Sequence, residues 1–169
     1  MAGALAVVGG ALAVLMGFLN WALISNPGSA DGSLTGWGGI GGVADMRGQN
    51  INDVISDLGG SGSYHPALFS TVLAGGAVVA GGVLLWQRFG LAAGVTIGCG
   101  VGIVGWGVFR ALVPGDVAGI VEDGGTRSAI GPWLLAVCGL VIVAGGVVAA
   151  LDRTAARVPT GRPRGIQPR

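Results

Sequence analysis

Four long apolar runs divide the chain, and shorter polar segments separate them. The runs cover residues 2–24, 67–86, 89–109 and 133–151, and each contains 19 to 23 residues. At about 1.5 Å of rise per residue, helices of this length cross a hydrocarbon core of about 30 Å. Backbone groups in lipid must be hydrogen-bonded internally, so each run is expected to be a helix. The pattern predicts an all-α integral membrane protein, a bundle of four transmembrane helices within residues 1–153.

The segments between the runs differ in length and charge. Loops 25–66 and 110–132 carry mostly acidic charges, whereas Arg88 lies in the short link between the middle runs and five Arg follow Leu151. Because arginine concentrates in cytoplasmic loops, we expect both termini in the cytoplasm, both long loops outside, and a flexible Arg/Pro-rich cytoplasmic tail at 154–169. All nine basic residues are Arg, which favours a GC-rich, actinobacterial genome and hence a bacterial inner (plasma) membrane.

Parts of the chain repeat. Residues 79–83 and 143–147 both read VAGGV, and each of these two runs begins near a Pro and ends before an Arg. The first and third runs match at a constant separation of 85 positions, through the pairs Gly9 and Gly94, Gly17 and Gly102, Trp21 and Trp106. The matches predict two copies of helix–outer loop–helix, related by a pseudo-twofold axis along the membrane normal. A shared bias toward Gly, Ala and Val is the alternative explanation.

The first outer loop contains one amphipathic pattern. Apolar residues spaced i, i+3, i+4 and i+7 predict a short helix, with Asn50 as its N-cap and Gly59-Gly60 as its end. Its apolar face packs either on the bundle itself or on a partner protein. The candidate partner surface consists of Ile51, Val54, Ile55, Leu58 and Trp37.

Glycines at regular spacing are the candidates for helix packing. Lipid supplies no hydrophobic drive for helix association, so small residues that allow close backbone approach replace it. The candidate packing residues are Gly90, Gly94, Gly98 and Gly102 in the third run, Gly81 and Gly82 in the second, and Gly145 and Gly146 in the fourth. The ladder in the third run meets another helix either within the chain or in a second molecule.

Candidate chemistry is sparse. The middle of every run lacks Asp, Glu, Lys and His, so we expect no enzyme, no catalytic residue, no metal site and no cofactor. A net charge of +1 is too balanced for a nucleic-acid binder. Arg110 lies at an outer boundary, where a positive charge needs a partner. Either it forms an ion pair with Asp116 or a neighbouring acid, or it belongs to a ligand site.

These patterns favour a non-enzymatic accessory, assembly or scaffold subunit. The expected partners are the lipid bilayer and other membrane proteins, or the chain itself as a homo-oligomer. The alternative is a homo-oligomeric pore or holin-like membrane permeabiliser. Four spans with a longer first outer loop resemble the claudins, and the size and Gly/Ala richness are similar to some phage holins. The chain lacks the outer-loop cysteines of claudins and any diagnostic holin motif, so neither resemblance assigns a residue.

Overall fold

A computed structural model describes residues 1–25, 31–42, 48–60, 63–87, 90–114 and 125–157. The described residues are mostly helical and include a small sheet. The helices are α1 (Ala2–Met16), α2 (Ile51–Asp57), α3 (Pro66–Gln87), α4 (Gly90–Leu112) and α5 (Ile130–Arg157). The strands are β1 (Asn20–Ile24), β2 (Gly32–Thr35), β3 (Ile40–Gly41) and β4 (Thr126–Ser128).

Three helices are long and apolar enough to cross a membrane, namely Pro66–Trp86, Gly90–Leu112 and Ile130–Asp152. The predicted second, third and fourth helices are thereby confirmed, and they indicate a membrane-embedded protein. Helix α5 continues to Arg157, so the first residues of the predicted flexible tail are helical. Residues 158–169 lie outside the described residues.

The first apolar run departs from the prediction. Helix α1 has 15 residues, roughly 22 Å at the usual rise, and residues 20–24 form a strand instead. A single helix over 2–24 was therefore wrong. Trp21 is only 2% exposed, and its indole N–H donates to the Met16 carbonyl at 2.9 Å, which satisfies a group at the end of the helix. An unbroken apolar run does not distinguish a helix from a buried strand, hence the error.

The four strands form an antiparallel sheet in the order β3-β2-β1-β4. Strand β1 lies inside this sheet, where it pairs with β2 from loop 25–66 and with β4 from loop 110–132. The all-α prediction is wrong for this layer, because both loops contribute strands. The sheet joins the two loops at one end of the helices, which we call the sheet end.

Helix α1 and the three long helices α3, α4 and α5 pack as a ring. Helix α1 contacts α3 and α5, and α4 contacts the same two helices. The core between them is built largely from small residues with a few branched ones, such as Ala13, Ala74, Ile103, Leu135 and Ile142. Small side chains bring the helix backbones close together, as helix packing in lipid requires.

Glycines mark the closest approach of α1 to α3. A Cβ added at Gly10 would lie 2.7 Å from Val78 Cγ2 and 2.9 Å from the Ala74 carbonyl oxygen. A Cβ added at Gly81 would lie 2.9 Å from the Gly3 carbonyl oxygen. Neither position has room for a side chain.

The approach of α4 to α5 has the same form. A Cβ added at Gly100 would lie 2.7 Å from Val143 Cγ2 and 2.9 Å from the Gly139 carbonyl oxygen. A Cβ added at Gly146 would lie 3.1 Å from the Ala93 carbonyl oxygen. Both helix pairs therefore approach each other most closely at glycines.

Candidate functional site

The predicted helix in the first outer loop is confirmed as α2. The Asn50 side chain accepts a hydrogen bond from the Asn52 backbone N–H at 3.0 Å, which caps the helix. Gly59 has φ of +76°, which suits glycine, and its N–H donates to Ser56 as the helix ends. The Asn52 side chain in turn bonds both the N–H and the carbonyl of Tyr64. Helix α2 is thereby fixed to the segment that leads into α3.

The structure distributes the candidate partner surface between inside and outside. Ile51 and Ile55 are buried in a cluster with Ala22, Leu34 and Tyr64, so they pack on the protein itself. Val54 is half-buried, whereas Leu58 is 74% exposed. Trp37 is half-buried and lies 6.3 Å from the Phe18 ring. Of the five residues, Leu58 alone is largely available to a partner.

The candidate packing glycines also divide into two groups. Gly81, Gly145 and Gly146 contact neighbouring helices, and Gly102 faces Leu73 of α3. Gly90 is exposed. Gly82, Gly94 and Gly98 have open space where a Cβ would lie. The tight α4–α5 contact instead uses Gly100 and Gly107, which the ladder does not include.

Helical geometry explains why the ladder does not form one contact. Residues four apart in a straight helix differ by about 40° around the axis, so Gly94 and Gly102 lie about 80° apart. Gly102 consequently faces α3, while Gly94 and Gly98 point away from the bundle. Gly105, seven residues after Gly98, is also exposed with open space at its Cβ position. Together with exposed Val101, these three glycines form an outward surface that we call the α4 glycine face.

A cavity of about 500 Å³ opens at the sheet end between α3 and α4. The Arg110 side chain lines it and is only 9% exposed. The Arg110 Cζ lies 5.8 Å from the Tyr64 ring centroid and 6.0 Å from the Trp106 ring centroid. These cation–π contacts hold the guanidinium in place. Asp116, the predicted ion-pair partner, lies outside the described residues.

Tyr64 forms the other polar wall of this cavity. The side chain is 5% exposed. Its buried hydroxyl has the Arg110 guanidinium as a hydrogen-bonding neighbour, and it donates to no acceptor in the described part of the chain. Burial raises the pKa of Tyr64 above its usual 10.0, and the nearby Arg110 charge offsets part of the rise. The hydroxyl therefore keeps its proton at neutral pH and can donate it in a hydrogen bond.

Sequence reasoning identified Arg110 but missed Tyr64 and the cavity. Trp106 also lines the cavity. Its indole N–H donates to the Pro66 carbonyl at 2.8 Å, and this bond fixes α4 to the start of α3. The available signal was a tyrosine two residues before a proline that opens a helix. Such a tyrosine lies at the same end of the helices as Arg110.

Within the described ranges, no three His, Cys, Asp or Glu side chains group as metal ligands would. Neither protein-family models nor curated proteins match this sequence. The α4 glycine face and the cavity at the sheet end are the two features of the described residues on which a function can be proposed.

Proposed function

We propose that the protein is a non-enzymatic, multi-pass membrane protein that acts as an accessory or scaffold subunit. It does so by packing the α4 glycine face against a transmembrane helix of another membrane protein. The observation that carries this proposal is the open space at Gly94, Gly98 and Gly105. Glycines at such spacing permit close contact between helix backbones in lipid.

The outward surfaces of the bundle support a lipid environment. Large exposed apolar side chains cover α1 as well as the three longer helices, including Leu5, Leu12, Val79, Leu85, Val95, Val137 and Leu140. Contiguous apolar surface of this extent causes aggregation in water, whereas lipid solvates it. We infer that α1 is the fourth membrane helix despite its 15 residues.

An internal duplication is supported by the packing, with a different alignment in α1 and α4. Gly10 and Gly100 have matching surroundings and are 90 positions apart. Their neighbours Val78 and Val143 are 65 apart. The separation of 85 predicted from sequence pairs Gly9 with Gly94, yet Gly9 contacts Ile142 and Gly94 is open. The surroundings of these glycines therefore favour a separation of 90 over the separation of 85.

The duplication gives the α4 glycine face its significance. At a separation of 90, the α1 equivalents of Gly94, Gly98 and Gly105 are Ala4, Val8 and Leu15. All three equivalents are exposed. The repeated fold therefore does not require glycine at these places, and lipid contact is satisfied by larger side chains. Only the α4 face has glycines at these positions, and they would allow a helix of another protein to approach closely.

The decisive experiment pairs variants of the two equivalent faces. Gly94→Leu with Gly98→Leu removes the close approach on α4, whereas Ala4→Leu with Val8→Leu changes the corresponding face of α1. The proteins are gently solubilised from the native host and analysed by native mass spectrometry. We expect the wild type and the α1 variant to retain a second polypeptide at fixed stoichiometry, and the α4 variant to lose it. A monomer in all three samples would refute the proposal.

A homo-oligomeric pore is the alternative, and the same experiment separates it. If the wild type forms a closed homo-oligomer and the α4 variant does not, the partner of the α4 glycine face is a second copy of this chain. Liposomes containing the wild type would then leak small dyes. Liposomes that stay tight would exclude the pore.

The proposed orientation places both termini in the cytoplasm of a bacterial plasma membrane and the sheet end outside. The uneven distribution of Arg supports it. Leu58 is 74% exposed in the first outer loop, so a Leu58→Cys variant reports the orientation. A membrane-impermeant thiol reagent should label this variant in intact cells. Labelling only after lysis would reverse the orientation.

A further inference from the structure

The cavity at the sheet end contains a buried charge whose described neighbours are aromatic. Arg110 is 9% exposed and lies between the Tyr64 and Trp106 rings. Among the described residues no carboxylate pairs with it. A buried cation without an anion is costly, so we expect an anionic group to bind in the cavity.

Arg110 and Tyr64, the polar wall of the cavity, are suited to bind an oxyanion. The planar guanidinium of arginine binds the oxygens of phosphate or carboxylate in pairs. The buried Tyr64 hydroxyl lies beside the guanidinium and donates to no acceptor in the described chain, so it supplies a further donor. Two donors of this kind around one cavity match a tetrahedral or planar oxyanion.

The opposite wall is apolar and open to the outside of the bundle. Leu68, Phe69 and Val72 line the cavity from α3, and each is at least half exposed. They extend from the sheet end along the outward face of α3, in the direction that a lipid chain takes into the membrane. The Phe69 ring packs 5.1 Å from the Trp106 ring, which joins the apolar wall to the polar one.

We propose that this cavity binds an anionic amphiphile, with its phosphate or carboxylate headgroup on Arg110 and Tyr64 and its apolar chain along Leu68, Phe69 and Val72. The position fits, because Trp106 and Arg110 lie in the last two turns of α4, at the depth of lipid headgroups. This site is separate from the α4 glycine face and does not depend on the proposed protein partner.

The test is native mass spectrometry of the full chain from micelles doped with dioleoyl phosphatidylglycerol or dioleoyl phosphatidylcholine. We expect retention of one phosphatidylglycerol per chain and little phosphatidylcholine. Arg110→Gln should weaken that retention about tenfold or more, because it removes charge-assisted hydrogen bonds. Arg127→Gln is the matched control, since Arg127 is an exposed arginine at the same end. Equal retention of the two lipids, or equal loss in both variants, would overturn the proposal.

Two further arms keep the result interpretable. Leu68 is 54% exposed and lies outside the buried core, so Leu68→Gln should weaken lipid retention even if Arg110→Gln fails to fold. Unchanged retention in Leu68→Gln would contradict the chain path. Free inorganic phosphate and glycerol phosphate should not compete, because they lack the apolar chain; full competition would reduce the site to one for small anions.

The remaining arm addresses the acids outside the described residues. If Asp116 neutralised Arg110, the wild type would show no preference for the anionic lipid and Asp116→Asn would create one. That outcome would overturn the proposal. We expect instead that Asp116→Asn leaves lipid retention unchanged.

Discussion

Adding one methyl group at glycines that look alike in sequence should have opposite effects on stability. Gly100→Ala places a Cβ 2.7 Å from Val143 Cγ2, 2.9 Å from the Val143 backbone nitrogen and 2.9 Å from the Gly139 carbonyl oxygen. Two of these atoms belong to the α5 backbone, which cannot move without separating the helices. Gly98→Ala, two residues earlier, meets nothing within 4 Å.

The magnitudes follow from packing and helix propensity. Overpacking of this kind costs about 1 to 3 kcal/mol, and replacing Gly by Ala within a helix returns about 0.5 to 1 kcal/mol. Gly100→Ala should therefore lower the free energy of unfolding by up to about 2.5 kcal/mol. Gly98→Ala should raise it by about 0.5 to 1 kcal/mol. Gly10→Ala, in matching surroundings on α1, should behave like Gly100→Ala.

The assay is SDS-induced unfolding in mixed micelles, followed by the fluorescence of the five tryptophans. The SDS concentration at the unfolding midpoint should be highest for Gly98→Ala, lower for the wild type, and lowest for Gly100→Ala and Gly10→Ala, which should be similar. If Gly100→Ala unfolds at the midpoint of Gly98→Ala, the close α4–α5 approach is absent. If Gly10→Ala alone is tolerated, the matched packing of the two helix pairs is refuted.

The remaining predictions concern the sheet end. Asn52→Ala removes both hydrogen bonds to the Tyr64 backbone and should cost about 1 to 3 kcal/mol, visible as a lower melting temperature and faster amide exchange in α2. Trp106→Phe removes the bond to the Pro66 carbonyl and should cost about 1 kcal/mol in the same melting assay. Because burial raises the pKa of Tyr64, stability should hold below pH 10.0 and fall as pH rises through the folded-state pKa; Tyr64→Phe should reduce that alkaline loss.

Three long helices and α2 could be predicted because their signals are local. Unbroken apolar length identified α3, α4 and α5 within a few residues, and Asn50 with Gly59 identified the ends of α2. Helix geometry at these places depends on neighbours in the chain. Tertiary contacts therefore changed the predicted bounds of these helices little.

The sheet and the cavity could not be predicted because their causes are non-local. Strand β1 pairs with β2 about ten positions later and with β4 about a hundred positions later, and the apolar run around Trp21 does not itself indicate a strand. Arg110 and Tyr64 come from different hairpins and meet only when α3 and α4 pack. The direction of each glycine in the ladder likewise depended on which face of α4 met α5.

Site-specific photocrosslinking in native membranes shows whether the α4 glycine face contacts another membrane protein. A photoreactive amino acid replaces Val101, which is exposed on the α4 glycine face, and separately Ala11, its equivalent on α1 at a separation of 90. We expect a discrete adduct with one other membrane protein from position 101 and none from position 11. Adducts with lipid alone at both positions would contradict it.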